Sequence, residues 1–368
     1  MTQKTNKEKR LFPLYLYVLW GILLLSIIVY VISLYSEEFS DFYNRYPGAF
    51  VRGLLAHLTN LLPLSLTEIV IILSPCIVAL AIYYVMKHAR PTKRSTLVFC
   101  VSLLTVASMF FSIFVLGFGC GYHGSTLDVK MGLEKKEVAF GELEATAEWL
   151  ADAVADESAK VEFDHQSFSK MPYSLGELNR RLLDSYNSVC DEYGFIQRLT
   201  SRIKPVMLSE AMSYTHITGV YTYFTGEANL NVNFPDYSLP FTAAHEMAHQ
   251  RGIAREDEAN FVAFLVCTGS DDPYIRYSGY LSMLEYFLPN LYADREVYSS
   301  ILSRLPSEVI WELRAYAEFF EKYQDSTVGE ISESINNGYL QMQGTVGTKS
   351  YGMAVDLAVA YFNAKIDE

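Results

Sequence analysis

The chain has 368 residues, 51% of them apolar, and carries a formal net charge of −13. That apolar content excludes a disordered polymer and suffices for a membrane module together with one soluble domain that has its own core. The acidic balance, with no cluster of Lys and Arg in the long C-terminal part, excludes a nucleic-acid surface, because such surfaces neutralise phosphates with grouped cations.

Three apolar segments dominate the first third. Residues 11–35 contain no charge and exceed the roughly 20 residues that a helix needs to cross a bilayer. A second helix is expected over 66–86, where residues 69–86 are uncharged and Pro75 is tolerable because neighbouring helices satisfy the freed carbonyl. A third uncharged segment covers 95–121. Lys4, Lys7, Lys9 and Arg10 precede the first segment, and Lys87, Arg90, Lys93 and Arg94 fill the loop between the second and third. By the positive-inside rule both belong in the cytoplasm. Three crossings then place everything after Gly121 outside. The first segment is longer than a signal-peptide core and no small-x-small site follows it, so an uncleaved anchor is expected.

The loop between the first two spans places Phe50, Leu54, Leu58 and Leu61 at helical spacing over 49–62, the pattern of a helix lying along the membrane surface. His57 reads there as an interfacial side chain, and Glu68 as an acid at the start of the second span. Of the five cysteines, Cys76, Cys100 and Cys120 lie in apolar stretches and read as small hydrophobes. Spacing alone leaves open whether Cys190 and Cys267 pair.

Beyond the membrane module (1–121), residues 122–368 read as one mostly helical α+β domain. Amphipathic helices are expected over 135–161 and 175–193. Two strands over 217–224 and 228–234 form a hairpin turning at 225–227. Helices follow over 274–292, 307–323 and 353–364. The segment 228–234 has two readings, a cleft rim to which an extended peptide adds, or an ordinary strand whose Asn side chains face water.

The chemistry concentrates in residues 241–267, FTAAHEMAHQRGIAREDEANFVAFLVC. His245 and His249 stand at i and i+4, so a helix projects both imidazoles from one face, at a spacing that serves one Zn2+. Glu246 adjoins them, placed to act on water without ligating. Gly252 allows the first helix to end and the chain to turn back. Glu256 then falls in the first turn of a second helix as the third ligand, followed by Ala259, Asn260, Ala263 and Cys267 on one line. Glu258 lies on a different line and reads as a helix N-terminal acid.

These residues resemble the glutamate-type zincin metallopeptidases. HExxH followed by ExEAN is similar to the ExxAD of Ste24-like and heat-shock membrane peptidases and to the ExEAN of ImmA/IrrE-like peptidases. Three spans before such a domain further resemble a bacterial family of zincin-like membrane proteins of unknown function. That likeness covers most of the chain, while its sharp motifs cover 241–267. It implies Zn2+ held by His245, His249 and Glu256, with Glu246 as catalytic acid/base. Two departures stand out. Asn260 occupies the place of the Ste24-like Asp, and Arg255 the place of the third His in metzincins. For the oxyanion, Tyr351 and Arg255 are weak candidates, both better read as structural.

The expected function is a multi-pass plasma-membrane zinc metallohydrolase, a peptidase, with its N-terminus cytoplasmic and its domain extracytoplasmic. Its partners would be the lipid bilayer and a peptide or protein substrate near the membrane surface, not nucleic acid. The alternative is a zincin-fold sensor or binding module for a peptide or cell-wall fragment. Sequence does not separate a peptide bond from a peptidoglycan amide as target.

Overall fold

A computed structural model describes residues 12–88, 93–164, 168–347 and 353–367. Lys4, Lys7, Lys9, Arg10, Arg90, His165 and Tyr351 lie outside the described residues. The chain begins with α1 (Leu14–Tyr35), α2 (Glu37–Tyr43), a π-helical turn at Asn44–Gly48, α3 (Ala49–Thr59), α4 (Leu66–His88) and α5 (Lys93–Gly117). Helices α1, α4 and α5 are long and apolar enough to cross a membrane. Helix α1 packs along α5, where the Trp20 indole donates to Thr105 Oγ1 at 3.0 Å.

The remainder contains α6 (Leu127–Met131), α7 (Phe140–Ser158), α8 (Leu175–Glu192), β1 (Lys204–Pro205), α9 (Ser209–Ser213), β2 (Gly219–Thr222) and β3 (Glu227–Leu230). It continues through α10 (Ser238–Gln250), α11 (Glu256–Thr268), α12 (Pro273–Leu291), α13 (Arg295–Arg304), α14 (Ser307–Gln324), α15 (Thr327–Met342) and α16 (Ala354–Asp367). The helix expected from residue 135 starts later, because the Glu142 carboxylate accepts the Ala139 N–H at 3.1 Å and closes the first turn there.

Helix α11 is the centre of the domain. Every residue from Glu256 to Cys267 is buried, with α10, α12, α8 and α16 packed around it. Its apolar positions run all the way round, as a central helix requires. Each fully buried Phe or Val side chain there contributes about 1.5–3 kcal/mol. Cys190 and Cys267 are both free thiols.

The small sheet has the order β1-β3-β2, with β1 parallel and β2 antiparallel to β3. This corrects both readings of 228–234. Strand β3 has neighbours on both sides, so it offers no edge, and its asparagines do not face water. Asn229 is buried and donates to the Val220 carbonyl at 3.2 Å, while buried Asn231 donates to Ser213 Oγ and the Ile217 carbonyl. The free edge belongs to β2. Asn231 N–H donates to Thr218 O, and the register pairs Val220 with Asn229 and Thr222 with Glu227. Antiparallel alternation therefore turns the backbone groups of Gly219 and Tyr221 outward.

Buried polar ties join the membrane helices to this sheet. Glu227 accepts the N–H groups of Leu66 and Thr67 at 3.0 and 2.9 Å, capping α4, and pairs with Lys204 at 2.6 Å. Glu68, in the first turn of α4, accepts the N–H groups of Met207 and Leu208. Its reading as a helix N-terminal acid thus acquires a partner in the domain. Burial alone would raise the Glu227 pKa, but Lys204 and the two N–H donors outweigh it and hold the carboxyl below its usual value of 4.5. A depressed carboxylate contributes stability above its unfolded pKa, and the contribution is lost as pH falls below about 4.5. Thermal melting of the full chain in detergent should show this loss for the wild type and a much flatter acid limb for Glu227→Gln. Lys204→Ala should cost about 3–5 kcal/mol by stranding a buried charge.

Candidate metal centre

Helix α10 starts with Pro240 in its first turn, where the missing N–H has no intrahelical partner to lose. It ends at Gln250, and Gly252 beyond it, with a φ of +94°, reverses the chain toward α11. Residue 252 must also be small, since a Cβ there would overlap the Arg52 guanidinium. Glu256 then opens α11 opposite the last turn of α10.

The three expected ligand residues converge. His245 Nε2 and His249 Nε2 are 3.0 Å apart, and Glu256 Oε2 lies 3.2 Å from the first and 3.3 Å from the second. Two imidazole lone pairs and a carboxylate oxygen at these distances repel one another unless a cation or proton sits among them. A tetrahedral zinc with bonds of about 2.0–2.1 Å separates its ligand atoms by about 3.3–3.4 Å, so the triangle matches one face of that coordination sphere. His249 Nδ1 donates to the Ile253 carbonyl at 2.7 Å, which leaves its Nε2 lone pair aimed inward. His245 Nδ1 is buried without a hydrogen-bond partner. The donor set, two nitrogens and one oxygen, suits Zn2+ with a remaining open position.

The electrostatics of the group agree with its packing. Burial disfavours protonated His249, yet the adjacent Glu256 carboxylate reverses this and lifts its pKa to about 9. Burial opposes ionisation of Glu256, and the two imidazoles overcome it, holding its carboxyl well below the usual range. Glu246 is buried, its Oε2 lacks a partner, and burial raises its pKa. Its carboxylate lies against the outer edge of β2, accepting the Tyr221 backbone N–H. A Cβ at residue 219 would come within 2.7 Å of it, so Gly219 makes the close approach possible.

Other candidates are placed elsewhere. Glu258 accepts the Leu127 N–H at 2.9 Å and the Arg255 guanidinium at 3.0 Å. Arg255 also donates to the carbonyls of Tyr122 and Gly124, a structural engagement. Asn260 is buried and hydrogen-bonds Tyr286. His57 contacts the Gly53 carbonyl and His216 the Tyr323 carbonyl.

Sequence reasoning did not anticipate the aromatic wall. Phe118, just past α5, sets its ring edge-on to His249 at 5.9 Å and packs against Tyr221 at 5.1 Å. Tyr339 of α15 meets Tyr122 at 3.2 Å between hydroxyls. The i, i+2 pair Tyr221 and Tyr223 was the available signal for the sheet side of this wall.

A family model described as protein of unknown function (DUF3810) matches residues 43–359. The chain belongs to that family. The match takes in α4, α5 and the whole His245, His249 and Glu256 group, so the DUF3810 region joins the second and third apolar helices to the cluster. No curated protein and no solved structure matches the chain.

The DUF3810 chain should depend sharply on Gly252. Gly252→Ala forces both a positive φ and the Arg52 overlap, and should cost about 1–3 kcal/mol. Thermal unfolding checks this, with Gly194→Ala, where added Cβ atoms meet open space, as the control.

Proposed function

We propose that this protein is a membrane-anchored zinc metallohydrolase, a peptidase, whose metal is held by His245, His249 and Glu256. The observation that carries the reading is the 3.0, 3.2 and 3.3 Å triangle of ligand atoms, with a buried carboxylate oxygen, Glu246 Oε2, left without a hydrogen bond on the adjoining residue. The likeness of HExxH and ExEAN to glutamate-type zincins agrees with it. When bound, zinc supplies Lewis acidity, polarising a carbonyl and bringing the pKa of water from its bulk value toward about 7.

The chain's own residues supply the rest. Glu246 takes the proton of the attacking water at its free Oε2 and returns it to the leaving amine. The raised pKa suits it to both tasks, since it can hold a proton between the two transfers. The outward N–H and carbonyl of Gly219 and the carbonyl of Tyr221 accept an extended segment along the β2 edge, beside that carboxylate. The basic residues before α1 and between α4 and α5 support a cytoplasmic placement of those ends and an extracytoplasmic domain.

The test uses the full chain in detergent. Elemental mass spectrometry should find about one zinc per wild-type chain, and none in His245→Ala or Glu256→Ala. Glu246→Gln should keep its zinc and lose about 10²–10⁴-fold in hydrolysis of a quenched peptide library. Zinc in both forms with no difference in turnover would replace the hydrolase by a metal-stabilised binding module.

A further inference from the structure

Helix α15 is amphipathic in the wrong sense for a helix that packs on a protein core. Its apolar side chains Val328, Ile331, Ile335 and Met342 form one stripe, and they are between 55% and 74% exposed. The flank facing the protein is built instead from Gly329, Ser332, Asn336, Tyr339 and Leu340. Gly329 rests on the His216 imidazole, which donates to the Tyr323 carbonyl. The acids Glu330 and Glu333 are exposed on a third side. Helical spacing puts the protein-facing flank between the stripe and the acidic face, which lie about opposite each other, so a polar surface, an apolar surface and a protein contact divide the circumference.

The position of α15 identifies what covers the stripe. Tyr339 packs on Phe114 of α5 at 6.0 Å and on Tyr122 just beyond it. The same C-terminal end of the helix, at Met342 and just past it at Gln343, shares a cleft with Ser33, Tyr35 and Glu37, where α1 ends. The C-terminal end of the stripe therefore sits where the two apolar helices α1 and α5 end. Helix α3 repeats the arrangement beside the same end of α5. Phe50, Leu54, Leu58 and Leu61 are exposed there, while Arg52, Ala56 and Thr59 turn inward.

We infer that α15 is an interfacial helix whose Val328, Ile331, Ile335 and Met342 insert into the bilayer surface, seating the rim of the His245, His249 and Glu256 group on lipid. The ligand of this surface is the boundary between headgroups and acyl chains, where a helix with one apolar face and one polar face lies in the interface plane; with acids and no Lys or Arg on the polar face, α15 binds there through its apolar stripe. The inference does not rest on hydrolysis or on zinc.

The test places the full chain in phosphatidylcholine nanodiscs with or without bromine on the acyl chains, and reads tryptophan emission above the wild-type signal. Ile335→Trp should lose more than half of its added emission in brominated discs, and Glu333→Trp should lose almost none. Ile331→Trp provides the same measurement should Ile335→Trp fail to fold. Equal emission in both discs at 335 and 331, or equal quenching at 333, overturns the inference. Unquenched emission in discs that hold two chains, counted by mass photometry, overturns it in favour of a second copy.

Discussion

A guanidinium buried without a carboxylate sets the geometry of this molecule. Arg52 is 2% exposed, and it donates to Asn44 Oδ1, the Asn44 carbonyl and the carbonyl of Gly117 at the end of α5. Asn44 in turn donates to the Gly252 carbonyl at 2.9 Å. Burial pushes the Arg52 pKa down to about 10, so it remains a cation at neutral pH. Its charge is spread over backbone dipoles, which leaves the α10–α11 turn fixed to the membrane helices rather than to solvent. The turn decides whether Glu256 faces the two histidines, so the ligand triangle inherits its shape from Arg52 and Asn44.

The same economy governs the sheet. Glu227 serves at once as cap for α4, partner of Lys204 and end of β3. Strand β3 then holds β2 where its outer edge meets Glu246. The fold is therefore a chain of polar contacts running from the spans through the sheet to the cluster, with α11 as the apolar body against which all of it is braced.

Much of the candidate site was legible because its signal is local. His245, Glu246, His249 and Glu256 lie within twelve positions, where helical periodicity aligns the two histidines and the glycine turn brings Glu256 back to them. The three spans were legible for the same reason, each being one uninterrupted run. What escaped was non-local. Strand β1 has only two residues and exists because Leu230 offers a carbonyl to Val206. Helix α15 was passed over because Gly, Ser and Asn interrupt its narrow apolar stripe, which does not face the core. The rim was assigned to β3 because its alternation is cleaner than that of β2. Alternation records burial of one face and says nothing of which strand ends the sheet.

The reach of these polar contacts has a consequence for biogenesis. Asn44 and Gly252 are separated by 208 positions, and Leu66 and Glu227 by 161. Closing such loops is entropically slow, so local helices form well ahead of them. A nascent chain can therefore hold its HExxH helix long before the turn after it is clamped. The ligand triangle takes its shape only when α4 and the π-helical turn stand beside the finished sheet, which couples assembly of the apolar helices to the geometry of the cluster.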